Sequence, residues 1–159
     1  MPAPAKPALK AELLALLAVD LETLERAHRA TTEGATHEEA KPENDKDTRA
    51  LEQSYLARGQ ATRIEELRAS IAGVTAMPLR DFEARPAALG AVVMVDEDGE
   101  ESTLLLAPGG GGARLAGGTV QVVTPASPLG RAVLGKQAGD EAEVVVAGRT
   151  RTMQVVRVA

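Results

Sequence analysis

From Leu9 to Thr31 the chain reads LKAELLALLAVDLETLERAHRAT, free of glycine and proline, and Leu14, Leu17, Leu21, Leu24, His28 and Thr31 recur at alternating spacings of three and four. That spacing predicts a helix with a coiled-coil seam. Leu13 and Leu16 widen the apolar stripe near its start, so the base should be buried more deeply than the far end. The break TTEGATHEEAKPEN follows, in which Gly34 is the expected C-cap and Asn44 the N-cap of a second helix. In that helix Ile64, Leu67, Ile71 and Val74 keep the heptad spacing, whereas Leu51 and Tyr55 are out of phase with them, which predicts a seam that slips midway. Two helices of roughly 25 to 30 residues, reaching on the order of 40 Å, are expected to form an antiparallel hairpin. A compact helical bundle or a homodimeric coiled coil would use the same pattern.

Beyond the segment Thr75 to Arg85 the period shortens to two, with turn residues between the runs. Val92 to Val95 and Thr103 to Leu106 read as a hairpin turning at Asp98 and Gly99, and Thr119 to Val123 as a further strand. In SPLGRAVLGK, Ser127 is placed to cap a short helix, Pro128 lies in its first turn and Gly135 stops it. A last hairpin, Glu141 to Val146 and Thr150 to Val158, turns at Ala147 and Gly148. The fold class is α+β: a helical hairpin over 1–76 with an acidic tip near 33–47, then an antiparallel sheet of about five strands with one helix over 77–159.

Composition narrows the chemistry. The chain has no Trp and no Cys, one Tyr (Tyr55) and one Phe (Phe82), and a net charge of −5. Its core must be aliphatic. Without aromatic platforms or a basic surface, single-stranded or sequence-specific nucleic-acid binding is not expected. The lack of cysteine removes disulfides, thiolate zinc sites and cysteine nucleophiles. MPAPAKPALK lacks the apolar core of a signal peptide and no run approaches a membrane span, so a cytoplasmic location is expected.

Between the helices, Glu33, Glu38, Glu39, Glu43, Asp45 and Asp47 stand against Lys41 and Lys46. At the end of a rigid hairpin such carboxylates suit a hard cation such as Mg²⁺ whose other ligands come from a second molecule. The cluster equally fits a solvated acidic loop. Other motifs fail on mechanics. HEEAK at His37 to Lys41 has no second histidine for zinc, and APGGGGARLAGG lacks the lysine and hydroxyl of a phosphate loop and reads as a flexible loop. Ser127 has no histidine partner and is explained as a cap. Gly130 inside the short helix costs about 1 kcal/mol relative to alanine, which suggests close approach of another chain against exposed Pro128 and Leu129.

The segment TPASPLGRAVLGKQAGDEAEV, Thr124 to Val144, closely resembles the C-terminal signature of the GreA/GreB transcription elongation factors. KPEN at Lys41 to Asn44 resembles that family's tip, and RIEELRASI at Arg63 to Ile71 the end of its second helix. The resemblance implies an FKBP-like C-terminal domain that binds RNA polymerase at the rim of its secondary channel, through Ser127, Pro128, Leu129, Gly130 and Arg131. It also implies a coiled coil inside the channel, whose tip acids help hold the second catalytic Mg²⁺ while the polymerase cleaves backtracked RNA. Glu43 matches the tip glutamate, but Ala40 stands where an aspartate is expected. Glu39, Asp45 and Asp47 are the neighbouring acids that a shifted register would use, with Glu43 and Asp45 the expected metal pair. The protein itself would be no enzyme and would hold no cofactor alone. It would bind polymerase as a monomer and no membrane. A non-cleaving channel regulator is the alternative, and a scaffold unrelated to polymerase a further one. A prolyl isomerase, suggested by the implied fold, lacks the aromatics to line its pocket.

Overall fold

The computed structural model describes residues 4–39 and 48–159, with the backbone alone for residues 35–39. The elements are α1 (Lys6–Glu39), α2 (Thr48–Ala76), β1 (Val92–Glu97), β2 (Glu100–Leu106), β3 (Arg114–Leu115), β4 (Val120–Val123), α3 (Pro128–Val133), β5 (Glu141–Val146) and β6 (Arg149–Val158). The six strands form one sheet in the order β3-β4-β2-β1-β6-β5. Compactness divides the chain into residues 1–15 with 70–159, and residues 16–69.

In the larger unit both expected hairpins form at their expected turns. Asp98 and Gly99 have φ of 54° and 88°, Ala147 and Gly148 of 51° and 76°. Positive φ at both central residues matches the right-handed twist of the flanking strands. The Asp96 carboxylate accepts from the Gly99 N–H at 2.8 Å and closes the first turn. One expectation changes: the sheet is not wholly antiparallel, because β4 pairs with β2 in parallel, Thr103 opposite Val120 and Leu106 opposite Val123. The chain reverses through β3, which pairs antiparallel with β4, before entering β4.

Alternation gives the sheet two apolar faces. Val93, Val95, Leu104, Leu106, Val144 and Val155 share one core with Phe82 and Val133. Val92, Leu105, Val120 and Val122 are buried on the other face, and the same unit buries Leu9, Leu13, Val74 and Met77 from the helix bases. Polar contacts fix these bases. Lys10 Nζ donates to the Thr75 and Met77 carbonyls at 2.9 Å each, satisfying the end of α2. The Glu12 carboxylate accepts from the Ala116 N–H at 3.0 Å, and Lys6 donates to the Arg80 carbonyl while lying 4.8 Å from the Phe82 ring centroid.

Where the glycine tract was expected to be a flexible loop, Gly109 and Gly110 form a close-packed seat, while Gly111 and Gly112 are exposed. A Cβ on Gly109 would lie 2.5 Å from Ser70 Cβ and 2.9 Å from its Cα, and one on Gly110 would lie 2.6 Å from Leu13 Cδ1. Gly110 has φ +77°. Glycine is required here because the backbone of the tract touches both helices.

In the smaller unit α1 and α2 pair as expected, with Leu17, Ile64 and Leu67 buried and Leu21, Leu24, His28 and Thr31 half-buried. Three expectations change. Leu16 is 41% exposed and adds nothing to the stripe. Gly34 does not end the first helix: α1 runs through it to Glu39, with Gly34 half-buried opposite Gln53. The seam of α2 does not slip either. Its half-buried positions Ala50, Gln53, Ala57 and Gln60 continue the heptad of Ile64 and Leu67 without interruption, and Leu51 and Tyr55 point outward. The register is kept by small and amide side chains where leucines are usual. Among the described residues, His28 Nδ1, Gln53 Oε1 and Gln60 Oε1 are buried there without a hydrogen-bond partner.

Candidate functional site

The short helix α3 is built around one glycine. Ser127 sits in extended backbone (φ −82°, ψ 153°) as the N-cap, its hydroxyl accepting from the Gly130 N–H at 3.0 Å and donating to the Thr124 carbonyl at 2.9 Å. The Ser127 N–H reaches the same carbonyl at 3.0 Å. A Cβ at residue 130 would lie 1.7 Å from that carbonyl oxygen, well inside contact distance. Gly130 therefore answers to its own chain, and the expected close approach of another chain at this residue is set aside. Leu129 is also less exposed than expected: it is half-buried against the core, while Pro128 and Arg131 remain exposed. Arg131 Nη1 donates to the Ala126 carbonyl at 2.6 Å. Beyond the helix, Gly135 N–H to Ala87 O (2.7 Å) and Ala87 N–H to Lys136 O (2.8 Å) tie its end to the connector.

Beside this turn lies an open groove of about 390 Å³ lined by Val123, Leu129, Val144 and Val146 together with Ser127 and Arg151. Its apolar side comes from the period of β5, which puts Ala142, Val144 and Val146 on one face. Ala142 and Val144 are buried, and Val146, 47% exposed, carries that face past the end of the core. Arg151 grips the Glu97 carboxylate with two nitrogens, Nε at 3.0 Å and Nη2 at 2.8 Å. The hydrogen bonds, and then the charge of Glu97, hold its guanidinium above the ordinary value, so the arginine stays charged. These groove residues escape a reading centred on the SPLG motif, although the alternation of EAEVVV carries the signal.

The four acidic sequence candidates are placed less completely. Glu39 ends α1, with only its backbone described, while Glu43, Asp45, Asp47 and the Ala40 position lie outside the described residues. Among the described residues no three His, Cys, Asp or Glu side chains are grouped to hold a metal ion. Among them, too, no helix is long and apolar enough to cross a membrane.

Residues 86–159, which contain α3 and the groove, match the family described as "Transcription elongation factor, GreA/GreB, C-term". Similarity to known proteins extends beyond that segment. Transcription elongation factor GreA of Magnetococcus marinus is 30% identical over 133 residues, 84% of this chain and 75% of that one. GreA of Rhodospirillum rubrum is 32% identical over 151 residues, 94% and 90% of the two chains. The chain belongs to the GreA/GreB family. Like other GreA/GreB proteins it is an accessory transcription factor and no enzyme in its own right.

Among solved structures, GreA factor homolog 1 (Gfh1) of Thermus thermophilus covers 92% of this chain and 94% of its own at 18% identity and a TM-score of 0.37. Gfh1 of Thermus aquaticus covers 91% and 92% at 23% identity and a TM-score of 0.40. These superpositions are loose, and the family assignment rests on the GreA sequences.

Proposed function

We propose that this GreA/GreB protein binds RNA polymerase through the α3 turn, Ser127 to Arg131, and the apolar groove beside it. One copy would place its helical pair in the secondary channel and stimulate cleavage of backtracked RNA by the polymerase. The observation that carries this reading is the α3 turn itself. Its cap, glycine and tied C-terminal end hold Pro128 and Arg131 in fixed positions beside an open apolar surface, the form of a preorganised protein-docking site. The cytoplasm is then its location, following its partner.

Cleavage is assigned to the acids Glu39, Glu43, Asp45 and Asp47. Carboxylate oxygens are the donors a hard cation prefers, and Glu43 with Asp45 would complete the coordination of a Mg²⁺ that the polymerase already holds in part. When bound, that ion supplies charge neutralisation at the phosphate under attack. The test is RNA release from stalled elongation complexes. Glu43→Ala is expected to lower the stimulated rate by at least about 10- to 100-fold, the penalty for losing even a group that only supports a metal ligand. Equal rates for the two proteins would remove Glu43 from the mechanism.

A second reading keeps the docking and drops the cleavage, favoured by Ala40 at the position of an expected aspartate. Multi-round transcription on unpaused templates separates the two. A non-cleaving regulator depresses synthesis as its concentration rises, whereas a pure cleavage factor leaves it unchanged.

A further inference from the structure

The helical pair changes character at the level of His28. Toward the base its seam is aliphatic, with Leu17, Ile64 and Leu67 buried and Leu21, Leu24 and Ile71 half-buried. Toward the tip the seam positions are His28, Thr31 and Gly34 on α1 and Ala50, Gln53, Ala57 and Gln60 on α2. Among the described residues, the buried side-chain atoms without a hydrogen-bond partner are His28 Nδ1, Gln53 Oε1 and Gln60 Oε1, and all three belong to this tip stretch. The Gln53 amide packs against Gly34, where a Cβ would meet its nitrogen and oxygen at 3.8 and 3.9 Å, so the facing residue has no side chain to answer it. Thr31 donates its hydroxyl to the Ala27 carbonyl at 2.9 Å, and that proton is not available to either glutamine. The cross-helix ion pair of Arg68 with Glu25, at 3.5 Å, lies on the base side of this level.

We infer that the tip stretch, residues 28–34 of α1 against 50–60 of α2, is a local opening built into the fold: in the free protein it separates and recloses as a unit while the base half stays paired. A buried polar group without a partner bears its desolvation cost in the closed pair, and separation returns it to water. Separating the base half would instead expose leucine and isoleucine. Solvent therefore acts in opposite directions on the two halves of one continuous helical pair, which is the condition for sub-global opening. The unbroken heptad keeps the closed form specific, since polar residues at seam positions fix register at a cost in stability. A partner that grips the closed pair must oppose this opening when it binds. The inference concerns the free protein and stands or falls independently of polymerase binding.

The test is native-state hydrogen exchange of the full chain, read amide by amide by NMR. Amides of residues 28–34 and 53–60 should exchange at least about tenfold faster than those of 17–24 and 64–71. Fraying alone would also speed exchange toward the tip, and a Gln53→Leu/Gln60→Leu variant separates the two causes. It removes two of the unpartnered atoms and returns apolar residues to the heptad, so exchange in the tip stretch should slow by about tenfold or more with the base half unchanged. His28→Leu, which removes the third such atom, is the fallback if the double variant does not fold, with the same direction expected. Equal tip rates in variant and wild type overturn the inference, as does uniform protection along both helices of the wild type. Slowing that grows with protein concentration would come from self-association of the leucine seam, and it too counts against the inference.

Discussion

Replacing Gly130 with alanine is expected to destabilise the larger unit by about 3 kcal/mol, against the usual rule that alanine favours a helix over glycine. The methyl group would lie 1.7 Å from the Thr124 carbonyl oxygen, a backbone atom that no change of rotamer can move. To make room, that carbonyl must leave the Ser127 N–H and hydroxyl it accepts at 3.0 and 2.9 Å. Two hydrogen bonds at about 1 kcal/mol each and a cap of similar worth already outweigh the gain of roughly 1 kcal/mol in helix propensity, and the strain of the displaced backbone brings the net loss to about 3 kcal/mol. Calorimetry should find the melting temperature lowered by roughly 10 °C, at about 2 to 4 °C per kcal/mol for a chain of this size. An unchanged melting temperature would mean that α3 is not packed as described.

Leu13→Ala should cost about 3 kcal/mol, within the range for a fully buried leucine. Leu13 is 0% exposed, and its Cδ1 occupies the space that a side chain on Gly110 would need. The cavity cannot close easily from that side, because the neighbouring glycines have no side chains to move into it. Chemical denaturation should show a lower midpoint with an unchanged slope, since the surface exposed on unfolding is the same. A loss below about 1 kcal/mol would indicate that the tract collapses onto the helix and is the flexible loop that its composition suggests.

That contrast marks where the sequence was informative. Local geometry was legible: Asp98-Gly99 and Ala147-Gly148 declared their turns through residues that tolerate positive φ, and Ser127 and Pro128 declared the start of α3. Relations between distant segments were not. A glycine tract looks alike whether it is solvated or pressed against Ser70 and Leu13, because the difference lies in the neighbours. Strand periodicity does not encode direction, so the parallel pairing of β4 with β2 could not be read from it. In α2 the hydrophobic pattern misled, since Leu51 and Tyr55 carried the apolar signal while Gln53 and Ala57 carried the seam.

The candidate site divides in the same way. Ser127 and Gly130 were found from the sequence, but Gly130 for a different reason than the structure gives, and the groove beside them needed the fold to bring β4 and β5 to α3. Docking and cleavage also stand on different residues, so each can fail without the other.

Docking through the α3 groove is the central claim, and Val146→Glu tests it most directly. Val146 is 47% exposed at the end of the groove, so the substitution should leave the melting temperature of the free protein near that of the wild type. The measurement is equilibrium binding of fluorescently labelled full-length protein to polymerase core enzyme. The wild type should bind, and Val146→Glu should bind about tenfold or more weakly, because a carboxylate would be desolvated against an apolar partner. Equal binding by the two proteins, with both folded, would contradict it.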